Sequence, residues 1–537
     1  MAAVTQLDSA PVVVVDGTRL ALDDVAAVAR GEALAALPAE PATRRRMDAS
    51  VALRRRLVAR GVPLYGITTG FGDSVRRHIG PAQAAALQDH LVRFMGTGTG
   101  AAASLATARA TLLIRANTLA RGHSGVRVDV VERLLDLLNA GVTPVIPEEG
   151  SVGASGDLVP LSYVAAVVTG RGTVHHRGGT RPAAEALAEA GMTPLVLEPK
   201  EALALMNGTA FMTAIATLAA VGAQRLAAAS DICTALTTEV LTGITGVFHP
   251  FLHEVAKPHP GQARSAAAVR RLLAGSQLAV AYEDVVEQAG ADDGYREVAV
   301  PIQDHYSVRC APHFTGVLWD VLAWVGDWLE TEINSSNDNP LFDATSGAVL
   351  SGGNFAGGHV ALAMDALRPA LASVADLVDR QLELVVDEKF NRGLTPNLVP
   401  ALPPGHPEAG LNHGFKGMQI SCSSLTAEAL SRCMPLTAFS RSTECHNQDK
   451  VSMGTTAARC TRDVVTLVEK VVAIHLLALC QAADLRGPAR LAPRTRLVHD
   501  RVRAQVPRLE TDRPMADDIA RVVDLLVSGR LLADLVV

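Results

Sequence analysis

The sequence predicts a mainly α-helical protein, with a bundle of long helices behind a smaller N-terminal region. Three observations carry this reading. Apolar residues recur at three- and four-residue spacing along most of the chain. From about residue 209 these stretches lengthen markedly. Several of them, such as "GTTAARCTRDVVTLVEKVVAIHLLALCQAADL", are apolar nearly all round and so need partners on several sides.

Taken in order, a short β-prone start, "PVVVVDG", precedes four amphipathic patterns: "MDASVALRRRLVAR", "PAQAAALQDHLVRFM", "SLATARATLLIRANTLARG" and "VDVVERLLDLLNAG". Gly or Pro punctuates the gaps between them. Longer helices are expected over 209–245, 263–289, 311–335, 356–386 and 452–484, with Pro369 kinking the fourth without ending it. Strand content is expected to be low. A soft boundary near 205 separates region 1–205 from the long-helix region 206–537. The Pro-rich piece "NLVPALPPGHPEAG" (397–410) reads as a surface loop.

Composition narrows the function classes. A chain of 537 residues with 48% hydrophobic and 19% charged residues can build a large core and is not a disordered solvating protein. A net charge of −6 gives no general attraction to nucleic acid or anionic membranes. Seven scattered cysteines without a CxxC pair suggest reduced thiols, not a disulfide framework or a zinc site. The N-terminus has no basic region before an apolar core, so no signal peptide is expected. The apolar stretch 202–222 contains Asn207, Gly208 and three threonines and reads as a helix buried in protein. The expected location is the cytoplasm.

No P-loop, HExxH or nucleophile elbow is present, and "GTGTG" (96–100) follows a helical pattern where a dinucleotide fingerprint needs a strand. Neither a nucleotide nor a metal is therefore expected. Polar residues do cluster elsewhere. "YGITTGFG" (65–72) reads as a mobile loop presenting the Tyr65 phenol. "GSVGASGDLVPLS" sets Ala154-Ser155-Gly156 in a turn before a helix starting near Leu158, which Ser155 or Asp157 could cap. Asn207 stands at the mouth of an apolar helix. Gln303, Tyr306 and Arg309 follow at three-residue steps and would share a helix face. "NSSNDNP" and "ECHNQD" are amide-rich, and each alone could be an Asx turn. Together these stretches suit a zwitterion but supply no electrophile.

These blocks, with "ALMNGT", "YSVRCAP", "GGNF" and "HNQDKVSMG", occur in one order over residues 65–454 and resemble the aromatic amino acid ammonia-lyases and aminomutases. The resemblance implies that Ala154, Ser155 and Gly156 cyclise with loss of two waters to a methylidene-imidazolone, the missing electrophile. It implies a mainly helical homotetramer whose sites are shared between subunits. Tyr65 resembles the base that takes the β-proton, and Tyr306 a second tyrosine near the prosthetic group. Arg309 resembles the arginine that pairs with the substrate carboxylate. Asn207, Gln303, Asn339, Phe355 and Gln448 resemble pocket residues.

Phe94-Met95 occupies the selectivity position. An apolar pair cannot satisfy a buried phenol or imidazole, which points to phenylalanine and to trans-cinnamate as product. Leu203, Lys416, Glu444 and Gln448 also resemble the phenylalanine enzymes. Met95, His313, Lys450 and the flanks of "SGGNFAG" depart from the pattern. The alternatives are a 2,3-aminomutase, a tyrosine or histidine lyase, and a catalytically inactive helical scaffold. The intact Tyr65, Ala154-Ser155-Gly156 and Arg309 speak against the last.

Overall fold

Where the sequence is apolar on several faces, the computed structural model forms long helices: Ala210–Val240, Ala311–Ile333, Gly358–Val386 and Gly454–Arg486. The structure describes residues 11–289, 294–295, 301–403 and 405–535. It has two compact units. The first comprises Met1–Val221, Val325–Asp365 and Pro435–Arg462. The second comprises Gly222–Trp324, Ala366–Met434 and Asp463–Val537, and each long helix contributes residues to both.

In the first unit Val12–Val14 pairs in parallel with Leu34–Ala36. The helices Leu22–Arg30, Ala42–Ala59, Ala84–Phe94, Leu105–Ala120 and Val128–Asn139 follow the sequence periodicity. Leu105–Ala120 starts where the Ser104 hydroxyl accepts the Thr107 N–H at 3.1 Å, and its Ala110–Ala120 stretch is entirely buried. Leu53, Leu64, Ile67 and Phe342 form one core cluster beside the Tyr65 loop. Among the described residues no strand exceeds four residues.

In the second unit, buried polar ties join the long helices at successive turns. The Ser230 and Thr315 hydroxyls meet at 3.0 Å, Gln381 Nε2 donates to Thr234 Oγ1 at 2.9 Å, and Thr237 Oγ1 meets His475 Nε2 at 3.0 Å. The helix with Pro369 runs on through it, as expected. The apolar window in Ala210–Val240 is long enough to cross a membrane, but 83% of it is buried within the protein.

Two expectations fail here. The stretch 263–289 is not one helix but Pro260–Leu273 and Tyr282–Ala289. Gly275 takes φ 86° and the Ser276 hydroxyl accepts from the N–H groups of Leu278 and Ala279, ending the first helix with local bonds. Gln303 does not share a helix with Tyr306 and Arg309. The helix runs from Tyr306 to Arg309, because His305 is extended and the Asp304 carboxylate is taken by Ile244 N–H and Arg392.

Candidate active site

The Ala154-Ser155-Gly156 turn borders a cavity of about 650 Å³ in the first unit. Gly153, Ser155 and Gly156 have φ of 77°, 53° and 78°, the left-handed region that costs a residue with a Cβ. A Cβ at Gly156 would run into the Gly208 carbonyl, and one at Gly153 into the Ser452 hydroxyl. Ser155, which has a Cβ, is therefore held in a strained conformation by its neighbours. Asp157 N–H donates to the Gly208 carbonyl at 2.7 Å, which brings the starts of helices Leu158–Val168 and Ala210–Val240 together. Their N-termini place partial positive charge beside Ser155.

Ser155 is gripped from two sides. Its carbonyl accepts from Asn207 Nδ2 at 2.7 Å and its hydroxyl from Gln448 Nε2 at 3.1 Å. Arg115 in turn fixes Asn207. It is fully buried and donates to the Asn207 carbonyl at 2.9 Å, the Asn337 side-chain oxygen at 2.9 Å and the Ala204 carbonyl. Burial pulls its guanidinium down to about 10, so it is still a cation at neutral pH. Behind it, Lys200 Nζ donates to Asp338 at 2.7 Å in a fully buried ion pair, and to the Asn339 carbonyl at 3.1 Å. The amides of "NSSNDNP" are thus long-range ties and not a plain Asx turn.

Asp157 does not cap its own helix. Its carboxylate accepts from Met212 N–H at 2.7 Å, in the first turn of the other helix, and from the hydroxyls of Ser151 and Thr455. Burial raises it to about 6. An acid whose folded pKa lies above its unfolded one stabilises the fold below the unfolded value. That contribution is lost as pH rises through the folded value. Between about pH 4 and 6 the wild-type protein should therefore lose stability relative to Asp157→Asn, by on the order of 3 kcal/mol. Thermal unfolding of both proteins across that range checks this, and parallel curves would remove Asp157 as the source.

The Tyr65 loop is more tightly held than a mobile loop. Ile67 and Thr68 are fully buried, and Thr68 Oγ1 donates to the Val62 carbonyl at 2.7 Å. The Tyr65 hydroxyl accepts Gly72 N–H at 2.9 Å. Glu444, in a run of left-handed residues 444–446, accepts Asp73 N–H at 2.9 Å. Burial, with the Glu444 charge adding, holds the Tyr65 phenol above its ordinary range.

One helix supplies three residues of the apolar lining. Leu87, Leu91 and Phe94 follow at four- and three-residue spacing on Ala84–Phe94 and all line the cavity. Met95, Leu203 and Phe71 join them, the Phe71 and Phe94 rings lying 6.4 Å apart. Sequence reasoning missed Leu87, Leu91 and Phe71, although the helical spacing back from Phe94 points to the first two.

Of the residues singled out, Tyr65, Phe94, Met95, Ala154, Ser155, Leu203, Asn207, Asn339, Phe355, Glu444 and Gln448 line this cavity. Gly156 packs beneath it against Gly208. Gln303, Tyr306, Arg309 and Lys416 do not line it and belong to the second unit. Tyr306 is 70% exposed, and Arg309 lies over its ring at 4.6 Å with Nε buried and without a hydrogen-bond partner among the described residues. No cluster of metal-ligating side chains occurs among the described residues.

A helical protein with a strained Ser between amide donors, facing a phenol and an apolar wall, has the parts of an enzyme that acts on an aromatic amino acid. Residues 20–504 match the model of the aromatic amino acid lyase family, and the chain belongs to that family. It is 42% identical to a tyrosine ammonia-lyase of Cupriavidus metallidurans over 525 residues, 96% of each chain. It is 40% identical to a histidine ammonia-lyase of Gloeobacter violaceus, over 97% of this chain and 96% of the relative. The tyrosine aminomutase structure from Streptomyces globisporus superposes with a TM-score of 0.91 at 38% identity, covering 97% of this chain and 98% of that one. The Pantoea agglomerans phenylalanine aminomutase gives 0.91 at 35% identity, covering 96% and 99%.

Proposed function

We propose that the chain eliminates ammonia from L-phenylalanine to give trans-cinnamate. The observation that carries this reading is the lining itself, in which the Ser155 turn and an apolar wall of Leu87, Leu91, Phe94, Met95 and Leu203 share one cavity. Overall identity does not select phenylalanine, since the similar relatives above carry tyrosine and histidine lyase names. The wall offers a phenyl ring contact without asking a buried hydroxyl or imidazole to go unpaired.

The turn fits the prosthetic group the family implies. Gly156 can bring an unhindered nitrogen towards the Ala154 carbonyl, and Ser155 carries a hydroxyl to lose. The methylidene-imidazolone formed from these residues by loss of two waters supplies the electrophile that makes the amine a leaving group. Asn207 holds the Ser155 carbonyl oxygen, and the buried Arg115 and two helix N-termini favour negative charge there. Tyr65 takes the β-proton while the C–N bond breaks and the nitrogen leaves with its electron pair. Since burial raises Tyr65, that step needs positive charge brought near it.

Arg309 suits this need and the pairing of a substrate carboxylate, but neither it nor Tyr306, Gln303 or Lys416 lines the cavity at the Ser155 turn. We assign these four to the cavities of other copies in a homotetramer, which accounts for the exposed Tyr306 and the unsatisfied Arg309 Nε. The proposed location is cytoplasmic.

Chromatography of products from phenylalanine, tyrosine, histidine and their β-isomers tests the reading. Cinnamate, with the highest kcat/KM for phenylalanine, is expected. Net accumulation of β-phenylalanine would make the chain an aminomutase, the activity named for both solved relatives above. A preference for tyrosine or histidine would overturn the substrate assignment.

Phe94→His should move preference towards tyrosine, because an imidazole then meets the substrate hydroxyl. Relieving a buried unpaired polar group is worth about 1–3 kcal/mol, or about one to two powers of ten in relative kcat/KM. Unchanged ratios would mean that Phe94 does not face the ring.

A further inference from the structure

Gln88 lies on the Ala84–Phe94 helix and is 1% exposed. Its side chain points away from water and bonds two different parts of the site. Nε2 donates at 3.0 Å to the carbonyl of Gly66, the residue immediately after Tyr65. Oε1 accepts the Leu203 N–H at 3.1 Å. A carbonyl on one side and an N–H on the other fix which end of the amide faces which partner. Leu203 stands in the first turn of the short Glu201–Met206 helix, where an N–H has no partner within the helix. A Cβ at Gly66 would meet the Leu203 and Phe71 side chains, so loop and wall are already in van der Waals contact there.

We infer that Gln88 is a positioning residue that locks the Tyr65 loop to the apolar wall and so sets the base and the ring pocket in one register. This rests on the reading of Tyr65 as the base. Gln88 does not line the cavity, whereas Leu87 and Leu91 beside it do. The helix therefore supplies both the wall and the clamp that registers the wall against the loop. A buried amide is suited to this because it satisfies a donor and an acceptor at once.

The two ends of the amide can be separated. Gln88→Glu keeps an acceptor for Leu203 N–H but, when ionised, has no proton for the Gly66 carbonyl. Gln88→Leu loses both bonds. A suitable control is Gln481→Leu, because Gln481 is also fully buried and bonded to backbone groups of Leu398 and Leu509, but does not line the cavity. The readouts are intact mass, Tm, kcat and KM for phenylalanine, and the kcat/KM ratio of phenylalanine to tyrosine. Displacing a catalytic group by about 1 Å costs about a hundredfold.

Gln88→Leu is expected to keep the two-water mass deficit, lose about a hundredfold in kcat and narrow the substrate ratio. Gln88→Glu is expected to lose kcat where the pH ionises the buried carboxyl, with the wild-type ratio retained. If Gln88→Leu does not fold, the glutamate variant decides alone. The inference is overturned if the Gln88 variants lose no more kcat than Gln481→Leu at matched Tm. It is also overturned if Gln88→Glu shifts the substrate ratio while keeping kcat. Full activity of Tyr65→Phe would instead refute the assignment of the base, so the two failures are distinguishable.

Discussion

Ser155→Ala should abolish turnover of every amino acid substrate while leaving a folded helical protein. The expected loss reaches the assay background, because on the proposed reading the substitution removes the hydroxyl whose departure creates the electrophile, and no other electrophile lines the cavity among the described residues. The folding cost should be small. Asn207 still donates to the residue 155 carbonyl, and the hydroxyl contributes a single 3.1 Å bond from Gln448, worth about 1 kcal/mol. Near-ultraviolet absorbance of the prosthetic group should vanish with activity. Residual turnover well above background in the variant would mean that the chemistry does not depend on this turn.

Tyr65→Phe should lose nearly all elimination, on the order of a thousandfold or more, with the prosthetic group still formed. A positioned general base contributes about 10²–10⁴ in rate. The tyrosine is remote in hydrogen bonding from the turn: its hydroxyl accepts Gly72 N–H, while Ser155 is held by Asn207 and Gln448. The variant therefore leaves Gly72 N–H without this acceptor but leaves the turn intact. Rates and the mass of the same preparation check both halves. Near wild-type turnover would show that Tyr65 is not the base, and a full-sequence mass would show that the loop also shapes the turn.

How far this was legible in the sequence depends on the range of the interaction. Helices set by local periodicity, such as Leu105–Ala120 and Val128–Asn139, and the turn glycines 153 and 156 could be read directly. The family resemblance singled out eleven residues that now line one cavity. Local pattern failed where a side chain serves a distant backbone group. Asp157 looked like the cap of the helix after it, yet accepts from Met212 N–H at the start of another. Gln303 fell in phase with Tyr306 and Arg309, but the long-range demands on Asp304 stop the helix short of it. Arg115 and Gln88 carried no signal at all. Each sits in a helix whose local pattern does not single it out, and its partners lie across long stretches of sequence, Asn337 for one and Leu203 for the other.

Lys450, one of the residues that depart from the pattern of the resemblance, lines the same cavity, exposed and next to Asp449. Nothing in the structure explains that substitution.

The central claim is that Ala154, Ser155 and Gly156 become a single cyclised, dehydrated unit, and the intact mass of the active wild-type enzyme tests it most directly. The account predicts a mass two waters below the sequence mass, with the deficit confined to the peptide carrying residues 154–156. A full-sequence mass in a preparation that turns over its substrate would contradict it.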